Sequence, residues 1–177
     1  GIVGMGRIGR TIARRARGFD MTVHYHNRSR LAPELEAPIG ARWVEKAELL
    51  RQADHLVIVL PYSPSSHHAI GAAELALMKP GATLTNIARG GVVDDAALAQ
   101  ALAERRIAAA GLDVFEGEPQ VHPALLQVAN VVLTPHIASA TLATRRKMAS
   151  LAADNLIAVL GGGAPLTAVN LPAHATL

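Results

Sequence analysis

The run Gly4-Met5-Gly6-Arg7-Ile8-Gly9 spells G-x-G-x-x-G, directly after a strand-like segment and directly before a helix-like one. In that setting Gly4 permits a tight turn. Gly6 lets the backbone approach a pyrophosphate with no Cβ in the way, and Gly9 lets the helix pack close on the strand. The helix start offers unpaired N–H groups and a partial positive charge to an anion. Arg7 and Ile8 lie inside the loop and are counted with it. The plainer alternative is a tight glycine turn that holds nothing.

The kind of nucleotide is decided at the end of the second strand, about 20 residues further on. A site selecting NAD(H) places an Asp or Glu there to accept from the ribose hydroxyls. Here the strand runs out as His26-Asn27-Arg28-Ser29-Arg30, with no carboxylate. An acid would repel a 2′-phosphate, whereas Arg28, Arg30 and the Ser29 hydroxyl can bind one through charge-assisted hydrogen bonds. NADP(H) is therefore the preferred cofactor, with NAD(H) possible and Asn27 counted in the same site. The alternative is that these arginines are solvated loop residues.

Three more residues with useful chemistry follow strand-like runs, where ligand sites of open α/β sheets cluster. Arg89 can grip a carboxylate through paired hydrogen bonds. His136 carries an imidazole, whose ordinary pKa of about 6.5 suits it to deliver and remove a proton. Glu118 as a neighbour would fix that ring and favour its protonated form. Taken singly, each has an everyday explanation: a structural ion pair, a turn acid, a loop histidine. Glu116 is read as a surface acid. His67 and His68 are adjacent, are expected to point in different directions without partner ligands, and count as loop polar groups, so no metal site is expected. His24, His55, His122 and His174 receive no role.

These residues need a scaffold, and the chain alternates short β-rich runs with helical stretches. Strands are expected around Val3, over 21–26, near Trp43-Val44, and over 55–60, 82–87, 107–114 and 131–134. Helices are expected over 7–18, with Ile8, Ile12 and Ala16 along one face, and over 45–53, 72–78, 94–105 and 141–160. Residues 62–66 read as loop. Repeated strand–helix units of this length predict an α/β, doubly wound parallel sheet with helices on both faces.

Composition supports one core-bearing domain. The chain has 177 residues, 50% hydrophobic and 18% charged, with a formal net charge of +3. No apolar stretch approaches the roughly 20 residues of a membrane span. The absence of cysteine excludes disulfides, thiol nucleophiles and thiolate metal sites, and is compatible with a cytoplasmic location. Arg7, Arg10, Arg14, Arg15, Arg17, Arg28 and Arg30 fall in the first thirty residues, against the single acid Asp20. With no interleaved aromatics and no reading module, nucleic acid is not expected as a partner. Arg14, Arg15 and Arg17 read as a solvated helix face, and the remainder as a positive field toward an anionic cofactor.

Three segments make the sequence recognisable: 86–94 (NIARGGVVD), 111–119 (GLDVFEGEP) and 134–141 (TPHIASAT). With the glycine loop, and in this order, they resemble the cofactor domain of the D-isomer-specific 2-hydroxyacid dehydrogenases over residues 1 to about 163. The pattern looks most like the bacterial glyoxylate/hydroxypyruvate reductases that also act on 2-ketogluconate. The resemblance implies that Arg89, Glu118 and His136 are a catalytic triad and that Asp113 meets the nicotinamide carboxamide. Ala88 and Pro61 then belong to the cofactor pocket, Pro61 near its adenine-ribose end. A member acting on formate would have glutamine where Glu118 stands.

By the same resemblance, residues 1–140 form the dinucleotide-binding domain. Residues 141–177 form a helix and tail returning to a substrate domain, and the tail from 164 is expected to wrap or fray. The chain begins with its first strand under way and is expected to be a fragment of a longer protein. The substrate implied is a small 2-oxo or 2-hydroxy acid, the assembly a homodimer, and no membrane partner is expected. A nucleotide-sensing corepressor on the same fold is the rival reading.

Overall fold

The computed structural model describes residues 1–169. Its strands and helices alternate as β1 (Ile2–Val3), α1 (Arg7–Arg17), β2 (Val23–His26), α2 (Pro33–Glu36), β3 (Ala41–Trp43), α3 (Lys46–Gln52), β4 (His55–Ile58), α4 (Ala72–Leu77), β5 (Thr83–Asn86), α5 (Asp95–Ala103), β6 (Ala109–Leu112), β7 (Val131–Leu133) and α6 (Leu142–Leu160). All seven strands form one sheet in the order β3-β2-β1-β4-β5-β6-β7, and every pairing is parallel. The alternation read from the sequence is therefore the doubly wound α/β sheet expected.

Most strands are shorter than the apolar runs that announce them. β4 stops at Ile58 although the run continues to Leu60. Val59 still donates its N–H to the Val3 carbonyl at 2.9 Å and both side chains pack on the core, while their backbone lies against Gly4 of the glycine loop. The sequence reading missed α2 and the short 3₁₀ turns at Ala37–Ile39, Pro64–Ser66 and Pro123–Gln127. All four have proline in their first turn, where its fixed φ and missing N–H are tolerated.

Apolar side chains are buried in two clusters. One joins Leu49, Leu50, Leu56, Ile58, Leu84, Leu98, Leu102 and Ile107. The other gathers Ile2, Met5, Ala13, Val23, Tyr25 and Ile39 around α1. Each fully buried leucine or isoleucine contributes about 1.5–3 kcal/mol. The expected core face of α1 needs one correction. Ile12 and Ala16 do pack inward, beside buried Gly9 and Ala13, but Ile8 is 62% exposed. It sits on the first turn, beyond the sheet edge, and lines a cleft instead of the core. Arg14, Arg15 and Arg17 are solvent-facing and occupy the last turn of α1, where cations suit the helix dipole.

The chain divides into two compact units, Gly1–His136 and the segment from Ile137 onward. In the second, Thr141 caps α6 by accepting the Thr144 N–H at 3.2 Å. Beyond α6, Thr167 and Asn155 exchange two 3.0 Å hydrogen bonds, so the described part of the tail folds back on its helix. The rest of the expected tail, with Pro172 and His174, lies outside the described residues.

The glycine loop gives a direct test of close packing. A Cβ on Gly9 would collide with the Gly4 carbonyl, while one on Gly6 would meet nothing within 4 Å. Gly9→Ala is therefore expected to cost about 1–3 kcal/mol in urea unfolding, and Gly6→Ala less than about 1 kcal/mol. Equal costs would refute the packing argument.

Candidate active site

Because every strand pair is parallel, the loops following β1, β4, β5, β6 and β7 leave the same edge of the sheet. Between β1 and β4 the winding reverses, which opens a crevice outside the strand ends. Two hollows lie there. A cleft of about 820 Å³ is lined by Ile8, Pro61, Tyr62, Ala88, Arg89, Glu118 and His136, among others. A second hollow, of about 360 Å³, is lined by Val3, His26, Asn27, Arg28, Lys46 and Ser66, among others, and shares Leu60 and Pro61 with the first. Val3 faces the smaller hollow and Ile8 the larger, so the glycine loop runs from one to the other.

The loop suits an anionic, two-phosphate ligand. Gly4 has φ +106° and lies against the Val59–Leu60 backbone, a position closed to a side chain. α1 begins at Gly6 with no side-chain cap and no acid in its first turn, leaving N–H groups and positive dipole uncompensated. Asn27 braces this loop: its Oδ1 accepts the Met5 N–H at 2.6 Å. That side chain therefore acts on the loop, where the sequence reading counted it only as part of the site.

After β2, Arg28 lies on the wall of the smaller hollow, while Ser29 and Arg30 line neither hollow. Arg30 Nε donates to the buried Glu36 at 2.7 Å. No residue of 27–30 is acidic, so no carboxylate faces the hollow from this strand end. Glu45 lines the same hollow from the other side, ahead of α3.

At the cleft, His136 Nδ1 lies 2.8 Å from Glu118 Oε2. Glu118 Oε1 accepts the Phe115 N–H at 2.9 Å, which ties the carboxylate to its own loop. Burial would raise the Glu118 carboxyl, but hydrogen bonds from His136 and Phe115 and the imidazolium's charge hold it below the ordinary carboxylate range. His136 has φ +53°, a left-handed conformation that costs a non-glycine residue on the order of 1 kcal/mol. Its N–H donates to the Thr134 carbonyl at 3.0 Å, so a tight turn after β7 aims the ring back toward β6.

Arg89 extends from the loop after β5, its Nη1 donating to the Ala88 carbonyl at 2.6 Å. Ala88 N–H in turn donates to Asn86 Oδ1 at 3.0 Å. Asp113 is 5% exposed at the end of β6, accepts the Thr134 hydroxyl at 2.6 Å, and does not line the cleft. The cleft thus brings together a guanidinium, an imidazole and a carboxylate that orients it. That set can bind an anionic carbonyl compound and exchange a proton with its oxygen.

Four contributors escaped the sequence reading. Tyr62 lines the cleft. Asp95, 2% exposed at the start of α5, accepts the Glu116 N–H at 3.0 Å and so fixes the loop bearing Glu118. Gly90 lies so close to the Phe115 carbonyl that no Cβ fits. Glu36 sits beneath Arg30. Only the Gly90-Gly91 pair left a signal in the sequence, as a place of close backbone approach.

His67 and His68 also need correcting. Far from pointing apart without partners, their rings stack at 3.9 Å with 21° between planes. His68, at φ +50°, folds back over its neighbour. Its Nε2 pairs with Glu116 at 2.9 Å and its Nδ1 lies 3.7 Å from Asp94, while His67 Nδ1 is 3.3 Å from the Tyr62 hydroxyl. Donor atoms of His67, His68 and Glu116 lie within 4.8 Å of one another. Stacked rings hold their in-plane lone pairs in nearly parallel planes, which prevents both from meeting one ion.

Comparison with known proteins follows the same lines. Residues 1–138 match the family described as D-isomer specific 2-hydroxyacid dehydrogenase, NAD binding domain. A glyoxylate reductase of Thermococcus onnurineus is 53% identical over 170 residues, covering 96% of this chain and 51% of that protein. Glyoxylate/hydroxypyruvate reductase B of Pectobacterium atrosepticum is 51% identical over 172 residues, covering 96% of this chain and 53% of the relative. Among solved structures, an NADPH-dependent glyoxylate/hydroxypyruvate reductase from Sinorhizobium meliloti, in complex with NADP and malonate, superposes with a TM-score of 0.86. It is 40% identical, with 94% of this chain and 51% of that one covered. The chain spans about half the length of the curated relatives it matches. No helix among the described residues is long and apolar enough to cross a membrane.

The His68 cluster titrates. The hydrogen bond to Glu116 raises the His68 pKa, opposed by burial and helped by the charges of Glu116, Asp94 and Asp95. A raised folded-state pKa gives stability that is fully present below the unfolded value, about 6.5, and lost as pH rises through the folded one. The stability gap between the wild type and His68→Gln is expected to be greatest near pH 6 and to close in alkali. For a pair this exposed it stays below about 1 kcal/mol. Urea unfolding across the pH range measures it, and a pH-independent gap would contradict the pairing.

Proposed function

The chain belongs to the D-isomer-specific 2-hydroxyacid dehydrogenases and carries their NAD binding domain in residues 1–138. From that membership we propose that the protein it forms part of reduces a small 2-oxo acid (glyoxylate, hydroxypyruvate or 2-ketogluconate) with NADPH, giving the 2-hydroxy acid, the D isomer where C2 becomes a stereocentre. The observation that carries this reading is the 2.8 Å contact between His136 and Glu118 in the cleft that Arg89 also lines.

The glycine loop and the start of α1 would hold the dinucleotide's pyrophosphate, with Arg28 and Arg30 toward its adenosine end. When bound, the reduced nicotinamide supplies the hydride. Arg89 binds the substrate carboxylate and, by fixing it, orients the adjacent carbonyl. His136, protonated, hydrogen-bonds the carbonyl oxygen and gives it a proton as the alkoxide forms. Glu118 holds the ring through Nδ1, so that Nε2 is the nitrogen facing the substrate. It also stabilises the imidazolium before the proton leaves. In the reverse direction the neutral ring takes the hydroxyl proton. The carboxylate at position 118 argues against formate as substrate.

The preference for NADPH is supported by the absence of a carboxylate at the end of β2, by the two arginines that follow it, and by the cofactor of the Sinorhizobium relative. Residues 141–177 are read as the return to a substrate domain. A homodimer completes the reading, and sedimentation of the full-length protein checks it.

Kinetics of the full-length protein decide the proposal. NADPH oxidation with one of the three acids is expected, falling about 10²–10⁴-fold in His136→Gln while NADPH affinity changes less than about twofold. Arg89→Lys, which loses the paired geometry, is expected to lower kcat/KM by about tenfold or more. Tight NADPH binding without turnover on any of the acids would instead favour a nucleotide sensor.

A further inference from the structure

Glu36 is a buried acid beneath the most basic stretch of the chain. It ends α2, is 5% exposed, and every polar contact it makes runs to the loop after β2 or to its neighbours. Oε2 accepts Arg30 Nε at 2.7 Å and Oε1 accepts the Trp43 N–H at 3.2 Å. The fully buried Tyr25 hydroxyl faces the same carboxylate and accepts the Leu31 N–H at 3.0 Å. Trp43 closes the circuit, its indole N–H donating to the Asn27 carbonyl at 3.1 Å. The loop from Asn27 to Leu31 is therefore fastened at both ends to groups that Glu36 organises.

The consequence for Arg30 is specific. A guanidinium can bind a phosphate through Nε with one Nη, or through both Nη groups. Glu36 occupies Nε, so the end-on pair is what remains. The Arg30 side chain is 67% exposed, and its terminal amino groups have no hydrogen-bond partner among the described residues. Arg28, two residues earlier on the fastened loop, lines the smaller hollow and is likewise without a hydrogen-bond partner among the described residues. An acid so close to a phosphate site would ordinarily repel the ligand. Here its charge is buried and neutralised by the guanidinium lying over it, which turns its end-on N–H donors outward, and Arg28, unpaired among the described residues, adds a positive charge beside it.

We propose that Glu36 is a specificity-determining positioning residue, which makes the loop select a 2′-phosphorylated dinucleotide by fixing Arg30 with its end-on donors outward and Arg28 beside it. This inference rests on the reading that the protein prefers NADPH. It assigns the preference to an acid that itself touches no cofactor, so Glu36 should affect only the phosphorylated form.

The test is calorimetric titration of the full-length protein with NADPH, NADH and 2′-AMP. Wild type is expected to bind NADPH more tightly than NADH, and to bind 2′-AMP. In Glu36→Gln the NADPH Kd is expected to rise about tenfold, the size of a lost charge-assisted contact. The 2′-AMP Kd should rise in parallel and the NADH Kd change less than twofold. Arg30→Gln, an exposed change that leaves Glu36 in place, is expected to reproduce this, and the double variant to be no worse than Arg30→Gln alone. A wild type that binds NADPH and NADH equally would overturn the cofactor reading and the inference with it. A wild type that prefers NADPH, with a Glu36→Gln variant that keeps the ratio or loses both cofactors equally, would overturn the inference alone. If Glu36→Gln does not fold, Arg30→Gln still decides, since retention of the preference there overturns the proposal.

Discussion

The chemistry of the cleft depends on a contact between two pieces of backbone. The loop after β5, which carries Arg89, lies with Gly90 directly on the carbonyl of Phe115, in the loop after β6 that carries Glu118. The Asp95 carboxylate accepts the Glu116 N–H, and Glu118 accepts the Phe115 N–H of the same loop. Arg89 and Glu118 are thereby fixed to one another by main chain, and His136 needs only a single 2.8 Å bond to join them. Side chains placed by main-chain contacts lose less entropy when a ligand arrives than side chains at the ends of free loops. Burial raises the Asp95 carboxyl, against the Glu116 hydrogen bond that lowers it. The cost of burying that acid is offset by the order it imposes on the Glu118 loop.

A second constraint is electrostatic and separates the site into two ends. Around the glycine loop and the loop after β2, basic residues predominate, Glu36 being buried and paired with Arg30 while Glu34 and Glu45 are exposed. Around the start of α5, charge is negative, with Asp94 capping the helix, Asp95 buried and Glu116 exposed. His68 lies within this acidic group, and His136 is paired separately with Glu118. On the proposed function, basic residues thus stand toward the cofactor's phosphates, while among the described residues the only carboxylate paired with His136 is Glu118. The sheet separates the two because they leave it from strands on opposite sides of the β1–β4 reversal.

What could be read from the sequence follows from the range of the interactions. The glycine loop was legible because its spacing is a local consequence of a turn between a strand and a helix, as Gly4 and Gly9 show. The alternation of strands and helices was legible for the same reason. Arg89, Glu118 and His136 were legible only as a joint pattern, since each alone is an ordinary residue and their meeting is a property of the parallel sheet. The contacts of Asp95, Tyr62, Glu36 and the stacked His67–His68 pair were not legible. They depend on left-handed turns and on short proline-led helical turns, where periodicity carries no signal. Ile8 was misplaced for a related reason. Helical periodicity assigns a face but does not say that the first turn extends past the edge of the core.

The residues that brace the loops of the candidate site share a physical character, which bears on how such a site is built. Gly90, Asp95, Asn27 and Glu36 are packed against backbone or bonded to it. Gly90 braces the loop that carries Arg89, Asp95 the loop that carries Glu118, Glu36 the loop that carries Arg30, and Asn27 the glycine loop with its backbone N–H groups. Asn27 does so for the glycine loop through the Met5 N–H, and Asp95 for the Glu118 loop through the Glu116 N–H. A loop at the end of a strand has few neighbours of its own, so its conformation must be imposed by polar groups that reach up from the core edge. Asp95 and Glu36 are buried and Asn27 part-buried, and a buried polar group is stable only when it is satisfied. Among the described residues, no buried side-chain nitrogen or oxygen lacks a hydrogen-bond partner. The same bonds that satisfy these supporting side chains therefore set the geometry of the active ones, and altering a support would move the site without touching anything bound there.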